Sequence, residues 1–256
     1  MRAGILLMFW MLCSADTWAD DQRLQFLHEI RTRSYLLCSS AMLYFNPAIK
    51  SPDPRALASN YDSLMRLHTR TVQLGQPSHM VEIQRSMQGL MKSLERMPRQ
   101  DAGLYPEKLM HLLELQRQAE SWADEQYRQQ SGARFERARE LHQQSLAMSH
   151  MLLNYQIRSY PLAAGSSVGM SDTQLEAQDS AINERFVQLI KRHEEFAKSF
   201  EAIHKNYRFV RGQLLSKSVH QPSGGIEFYL TRSIIDMDEL AIQILESQKL
   251  DGSQVL

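Results

Sequence analysis

The sequence predicts an all-α protein of six helices, two long and four short, forming an elongated helical bundle of two stacked four-helix modules. Two observations carry this. Apolar residues return at alternating steps of three and four through almost every segment, the period of a helix that buries one stripe. The stripe runs longest between residues 172 and 216: Ile182, Phe186, Leu189, Phe196, Phe200, Ile203, Tyr207, Val210 and Leu214, with His193 filling the one gap. That is an a/d seam of about four to five heptads, and no Pro or Gly interrupts it before Gly212. A continuous helix there would be roughly 65 Å long at 1.5 Å per residue. A rod of that length needs partners along its whole seam, and the other segments supply them.

Taken in order, the chain opens with Met1-Arg2 and an apolar run from Ile5 to Leu12, then small residues at Thr17-Trp18-Ala19. This is the pattern of a secretory signal peptide cleaved after Ala19, with Cys13-Ser14-Ala15 as a second cleavage option. The run is about half the ~20 residues a spanning helix needs. The bulky Trp10, Met11 and Leu12 before Cys13 do not suit a lipid-attachment site. The expected location is periplasmic or secreted. The mature chain would keep one cysteine, Cys38, so it has no internal disulfide. Between Leu37 and Ala41 on a helix, Cys38 reads as a small buried residue.

The first helix is expected over 20–45, its stripe running Leu27, Ile30, Ser34, Leu37, Ala41, Tyr44, and Asn46-Pro47 stops it. Ser51-Pro52-Asp53-Pro54 reads as a loop that caps the next helix. The second stretch, 55–97, carries Leu57, Tyr61, Leu64 and Leu67, then Met80, Ile83, Met87, Leu90 and Leu94, with a kink or short loop at Gly75-Gln76-Pro77-Ser78. A third helix is expected over 107–130. Ser131-Gly132 marks the midpoint, dividing a first three-helix unit, 20–131, from a second, 132–256. The second unit reads as a helix over 133–159, a loop rich in Ala, Gly and Ser, the long helix capped by Ser171 or Asp172, a loop over 216–225 and a last helix over 226–250. Met42-Leu43-Tyr44-Phe45-Asn46 and Met151-Leu152-Leu153-Asn154-Tyr155 each precede a Pro-bearing loop, a faint sign of duplication.

Two long helices with two short ones covering each end make two four-helix bundles stacked end to end. Phe186, Phe196, Phe200 and Tyr207 in one seam suit a wide bundle core better than a two-stranded coil. This layout is similar to the helical ectodomains of bacterial membrane chemoreceptors of the bimodular kind, with two long and four short helices. The resemblance is one of architecture, and it implies no site residue.

Lys plus Arg and Asp plus Glu both number 29, giving zero net charge, which argues against nucleic acid and against general attraction to an anionic membrane. Glu201-Ala202-Ile203-His204 sets a carboxylate and an imidazole one turn apart, but di-iron bundles need a second Glu-x-x-His, so an ion pair on the helix surface is expected instead. Met148 to Met151 and Met65 to His68 put thioether beside imidazole, a set that can bind haem iron or copper. The methionines track stripe positions, so core filling is the expected role. No catalytic residue, metal ligand or cofactor is assigned. The remaining signal is charge. Acids crowd the start of the long helix, and no acid lies between Glu201 and Glu227, where Lys205, Arg208 and Arg211 follow one another. Macrodipole matching explains this blandly. Alternatively, Lys205, Arg208 and Arg211 form a basic, aromatic-flanked patch for an envelope partner protein or a small anionic ligand. The function expected is that of an exported binding protein, the alternative being a sensor-type domain for small molecules.

Overall fold

The computed structural model describes residues 3–130, 136–161, 169–216 and 223–253, with side chains placed for 22–130, 138–161, 169–216 and 223–247. Among these the chain is all-helical and has eight helices, not six: α1 (Ala3–Tyr44), α2 (Pro54–Gln73), α3 (Ser78–Arg96), α4 (Tyr105–Gln129), α5 (Glu136–Ser159), α6 (Asp172–Arg192), α7 (Ala197–Leu214) and α8 (Gly224–Ser253). Short 3₁₀ turns, Arg99–Leu104 and Glu194–Phe196, precede α4 and α7. The expected export signal, residues 1–19, lies outside the residues whose side chains are described. Among the described residues, no helix is long and apolar enough to cross a membrane.

Both long helices expected from the periodicity are broken. The stretch over 55–97 divides at Gly75, whose φ of +84° suits a residue without a Cβ. Its N–H bonds to the Val72 carbonyl and that of Gln76 to the Thr71 carbonyl, the paired closure of a Schellman motif. The stretch over 172–216 divides at His193, which leaves helical geometry at φ −124°, ψ 68°. The chain then doubles back, so α6 and α7 form a hairpin. The Arg211 guanidinium meets the Asp179 carboxylate at 2.6–2.9 Å, whereas 32 residues of continuous helix would separate them by roughly 48 Å. The a/d seam is therefore real but folded on itself: Ile182, Phe186 and Leu189 share one core with Phe200, Ile203, Tyr207, Val210 and Leu214. The break preserves the three/four phase, so periodicity could not detect it. His193 keeps its expected burial, at 2% exposure, but caps a helix rather than continuing one.

The caps follow local chemistry. The Asp53 side chain accepts the Arg55 N–H and Pro54 opens α2. Ser171 and Gln174 form a reciprocal capping box at the start of α6.

The helices gather around two cores. One is built by α1–α4 and also takes Leu153 and Ile157 from α5 and Tyr160 just after it. The other is built by α5–α8 and also takes Leu36 from α1. Each half thus supplies four helices, where the sequence suggested three. The organising elements are α1 and α5, not the segment at 172–216. α1 packs on α2, α4, α5 and α8, and α5 packs on α1, α6 and α8. From Leu24 onward α1 is buried almost all round, and α5 likewise. Cys38 is fully buried on α1, its thiol directed at the Leu112 carbonyl 3.7 Å away, and burial pushes its pKa up.

Helices encircled this way must bury polar residues, and these do. The His28 ring stacks on that of His142 with centroids 4.0 Å apart and planes 10° apart. Each histidine lies on the first helix of its half, the same number of residues ahead of the proline that follows that helix, Pro47 or Pro161. His28 Nε2 lies 2.9 Å from Asp238 Oδ1 and 2.8 Å from Ser145 Oγ, while Thr32 donates to Asp238 Oδ2. Gln25 donates its amide N–H to Glu29, so its carbonyl oxygen is the one that meets His142 Nε2 at 2.8 Å. That fixes the proton of His142 on Nε2, and the Tyr127 hydroxyl donates to Nδ1. Arg70 closes the far end with a two-pronged contact to Glu29. A continuous run of hydrogen bonds thus crosses α4, α5, α1 and α2.

Candidate functional site

The three basic residues singled out from the sequence lie on α7, and the structure separates them. Arg211 is committed to Asp179, which is 2% exposed and also accepts from the Tyr207 hydroxyl at 2.8 Å. Burial opposes charge on Asp179, but Arg211, Tyr207 and Asn183 outweigh it and hold the carboxyl below its usual range. Arg211 is therefore a strut of the α6–α7 hairpin. Lys205 and Arg208 are exposed. His204, expected to pair with Glu201, instead stacks on Phe186 with centroids 4.6 Å apart and bonds to Asn183 Oδ1 at 3.0 Å.

Beside Arg208 stands Phe209, 70% exposed, which sequence reading passed over because it falls off the seam. Its ring meets Tyr229 edge-on at 5.0 Å, and Tyr229 meets Phe228, itself 52% exposed, at 5.5 Å. The Arg55 guanidinium lies 5.9 Å from the Phe228 ring centre. Three rings thus run across α7 and α8, Phe209 and Phe228 exposed with Tyr229 half-buried between them, and the Arg55 cation at the Phe228 end is paired with Asp53. Large exposed aromatics in a contiguous row are unusual on a surface that contacts only water.

Phe228 also forms one wall of a pocket of ≈ 170 Å³ between α1, α2 and the start of α8. Leu43, Ala56 and Ile235 make it apolar. Its mouth is narrowed where α8 begins against the α2 cap: a Cβ on Gly224 would come within 2.9 Å of Asp53 Oδ2. The buried acid in the wall is Glu227, 5% exposed. Burial pushes it up to about 8, partly countered by hydrogen bonds from Gln156 and Thr231. At neutral pH Glu227 is mostly a neutral acid, and the other charges in the wall are matched, Asp53 with Arg55 and Arg232 with Asp236.

The buried polar seam holds the residue types of a nucleophilic triad in Ser145, His28 and Asp238, but not the wiring. A triad places nucleophile and carboxylate on opposite ring nitrogens. Here both sit on His28 Nε2, and His28 is fully buried. Burial, then Arg31, lower the His28 pKa to about 3, so it stays neutral. The seam's role is structural.

No family model, no curated protein and no solved structure matches this chain.

Proposed function

We propose that this is an exported binding protein that engages an acidic partner protein of the cell envelope through the α7–α8 face. An apolar side chain of the partner enters the pocket beside Phe228, and flanking carboxylates meet Lys205 and Arg208. The observation that carries this reading is the pair of exposed rings, Phe209 and Phe228, joined through the half-buried Tyr229 and opening on an apolar pocket. Aromatic and Arg side chains around a desolvated pocket are the usual makings of an interface anchor. Export is supported by the apolar run Ile5 to Leu12 and the small residues that end at Ala19. We read the two helix groups as two four-helix bundles joined along α1 and α5, a rigid support for that face.

The test is fluorescence anisotropy with a labelled Asp/Glu-rich peptide carrying one central Trp. Binding should weaken steeply with salt, since exposed charges are screened within about 8 Å at physiological ionic strength. It should be lost in Phe228→Ser and weakened in Arg208→Glu, and the same peptide with Trp replaced by Ser should not bind. Binding that ignores both substitutions, or the Trp, would reject the site.

A further inference from the structure

A second cavity, of ≈ 190 Å³, lies on a different side of the molecule between α1, α4 and α5, where Gly169 and Met170 cover it. We propose that it binds a small carboxylate with a branched apolar body. Leu113, Leu153 and Ile157 supply the apolar walls.

The polar end is built around Asn154, which is 3% exposed. Its Oδ1 accepts the Met170 N–H at 2.7 Å, so the orientation of the amide is settled. Asn154 lines the cavity, and its Nδ2, buried behind that wall, has no hydrogen-bond partner. A buried N–H without an acceptor is uncommon in a native structure, and it marks a place where an oxygen belongs. The backbone is arranged to maintain this. Gly169 sits at φ +127°, and a Cβ there would come within 3.0 Å of Asn154 Oδ1 and 3.6 Å of Ile157. Only glycine lets the chain pass so close.

The neighbouring polar groups are already matched to one another. Glu120 accepts from the Tyr35 hydroxyl and from Gln116, and His150 Nε2 lies 3.4 Å from it. Burial opposes charge on Glu120, but His150, Tyr35 and Arg31 outweigh it, so it stays ionised. Its acceptor capacity is thereby engaged, and the donors left beside the cavity are the buried Asn154 Nδ2 and Arg117, whose side chain is 65% exposed and uses one edge on Glu114. Donors at one end and aliphatic walls at the other select an anionic oxygen acid over an amine.

Calorimetry on the full chain with 4-methylpentanoate and with 4-methylpentylamine tests this. The carboxylate should bind and the amine should not. Asn154→Asp keeps the acceptor for Met170 and replaces the unpaired N–H₂ by oxygen. At pH 8 it should lower carboxylate affinity by about tenfold or more, the cost of losing a buried hydrogen bond to a charged group, and should let the amine bind. Arg117→Glu changes an exposed side chain that the fold does not need, and it should also weaken the carboxylate. No heat from 4-methylpentanoate at millimolar concentration, equal binding of acid and amine, or carboxylate binding unchanged in Arg117→Glu would each overturn the proposal.

Discussion

Replacing Glu227 by Gln should stabilise the protein, and by an amount set by pH. In the folded chain the carboxyl titrates near 8, against an ordinary value of 4.5. A raised carboxyl pKa means that, as pH climbs past 4.5, the unfolded chain releases a proton that the folded chain still holds. Stability is therefore complete below about 4.5 and is lost progressively up to the folded value. Each pH unit in that window costs about 1.4 kcal/mol. From 4.5 to 7 the loss comes to about 3 kcal/mol. Gln has no proton to release. Its amide can still accept from Gln156 and donate to Thr231, the two partners that Glu227 now has. Urea denaturation of both proteins at several pH values reads the difference directly. It should be under about 1 kcal/mol at pH 5 and grow to roughly 4 kcal/mol at pH 8. A difference that stays constant across pH, or a variant less stable at pH 8, would show that Glu227 is ionised in the fold.

Arg211→Glu should cost about 2 kcal/mol in chemical denaturation, since it leaves a buried carboxylate facing another; the full penalty for a buried pair is discounted because Arg211 is half exposed. Arg208→Glu should stay within about 0.5 kcal/mol, as surface changes do, and equal costs for the two would erase the distinction drawn between them. Through His28 the protein should lose stability as pH falls below 6.5, because the unfolded His28 takes up a proton that the buried ring accepts only near pH 3, while Glu227 gains stability over the same range down to 4.5, so the His28 part is read only in a difference curve. His142, also lowered by burial, adds in the same direction, and Asp238, whose pKa is raised by burial, works against both in the acid range. In the difference curve against His28→Gln the loss should appear as about 1.4 kcal/mol per pH unit below 6.5, and a flat curve would contradict the burial argument. Residues 1–130 and 131–256, expressed apart, should each melt broadly and regain a sharp transition on mixing, because each would expose one flank of the α1–α5 seam; two sharp independent melts at the temperature of the whole chain would mean that the seam contributes nothing.

What could be read from the sequence was whatever depends on near neighbours. The stripe positions Leu27, Leu64, Met87, Phe186 and Ile203 are all buried, and Asp53 and Ser171 cap their helices. The break at Gly75 was legible, because Gly75 and Pro77 mark a kink or short loop there, but the break at His193 was not, because a loop that preserves the three/four phase leaves the stripe intact. The central place of α1 was hidden for a different reason. Thr32, Ser39 and Ser40 look like a solvated face, yet they are buried: Thr32 meets Asp238 on α8 and Ser40 meets Asn60 on α2. In the candidate site, the charge run pointed to Lys205 and Arg208 but could not show that Asp179 claims Arg211. Phe209 and Phe228 could have been flagged as large apolar residues off the seam. Glu227 could not, since its pKa comes from burial by residues far away in the chain.

The contact between His28 and Asp238 spans 210 positions, and that between Thr32 and Asp238 spans 206. Closing so large a loop is entropically slow, while hairpins such as α6–α7 close locally. Assembly is therefore expected to run from the edges inward. α2 with α3 and α6 with α7 can collapse as soon as they exist, but α1 has no complete set of neighbours until α8 arrives. Until then its histidine, threonine and serines remain hydrated, and drying them early would leave donors and acceptors unmatched. The polar lining of α1 thus acts as a timing device, keeping the first helix soluble until the last helix is available to receive it.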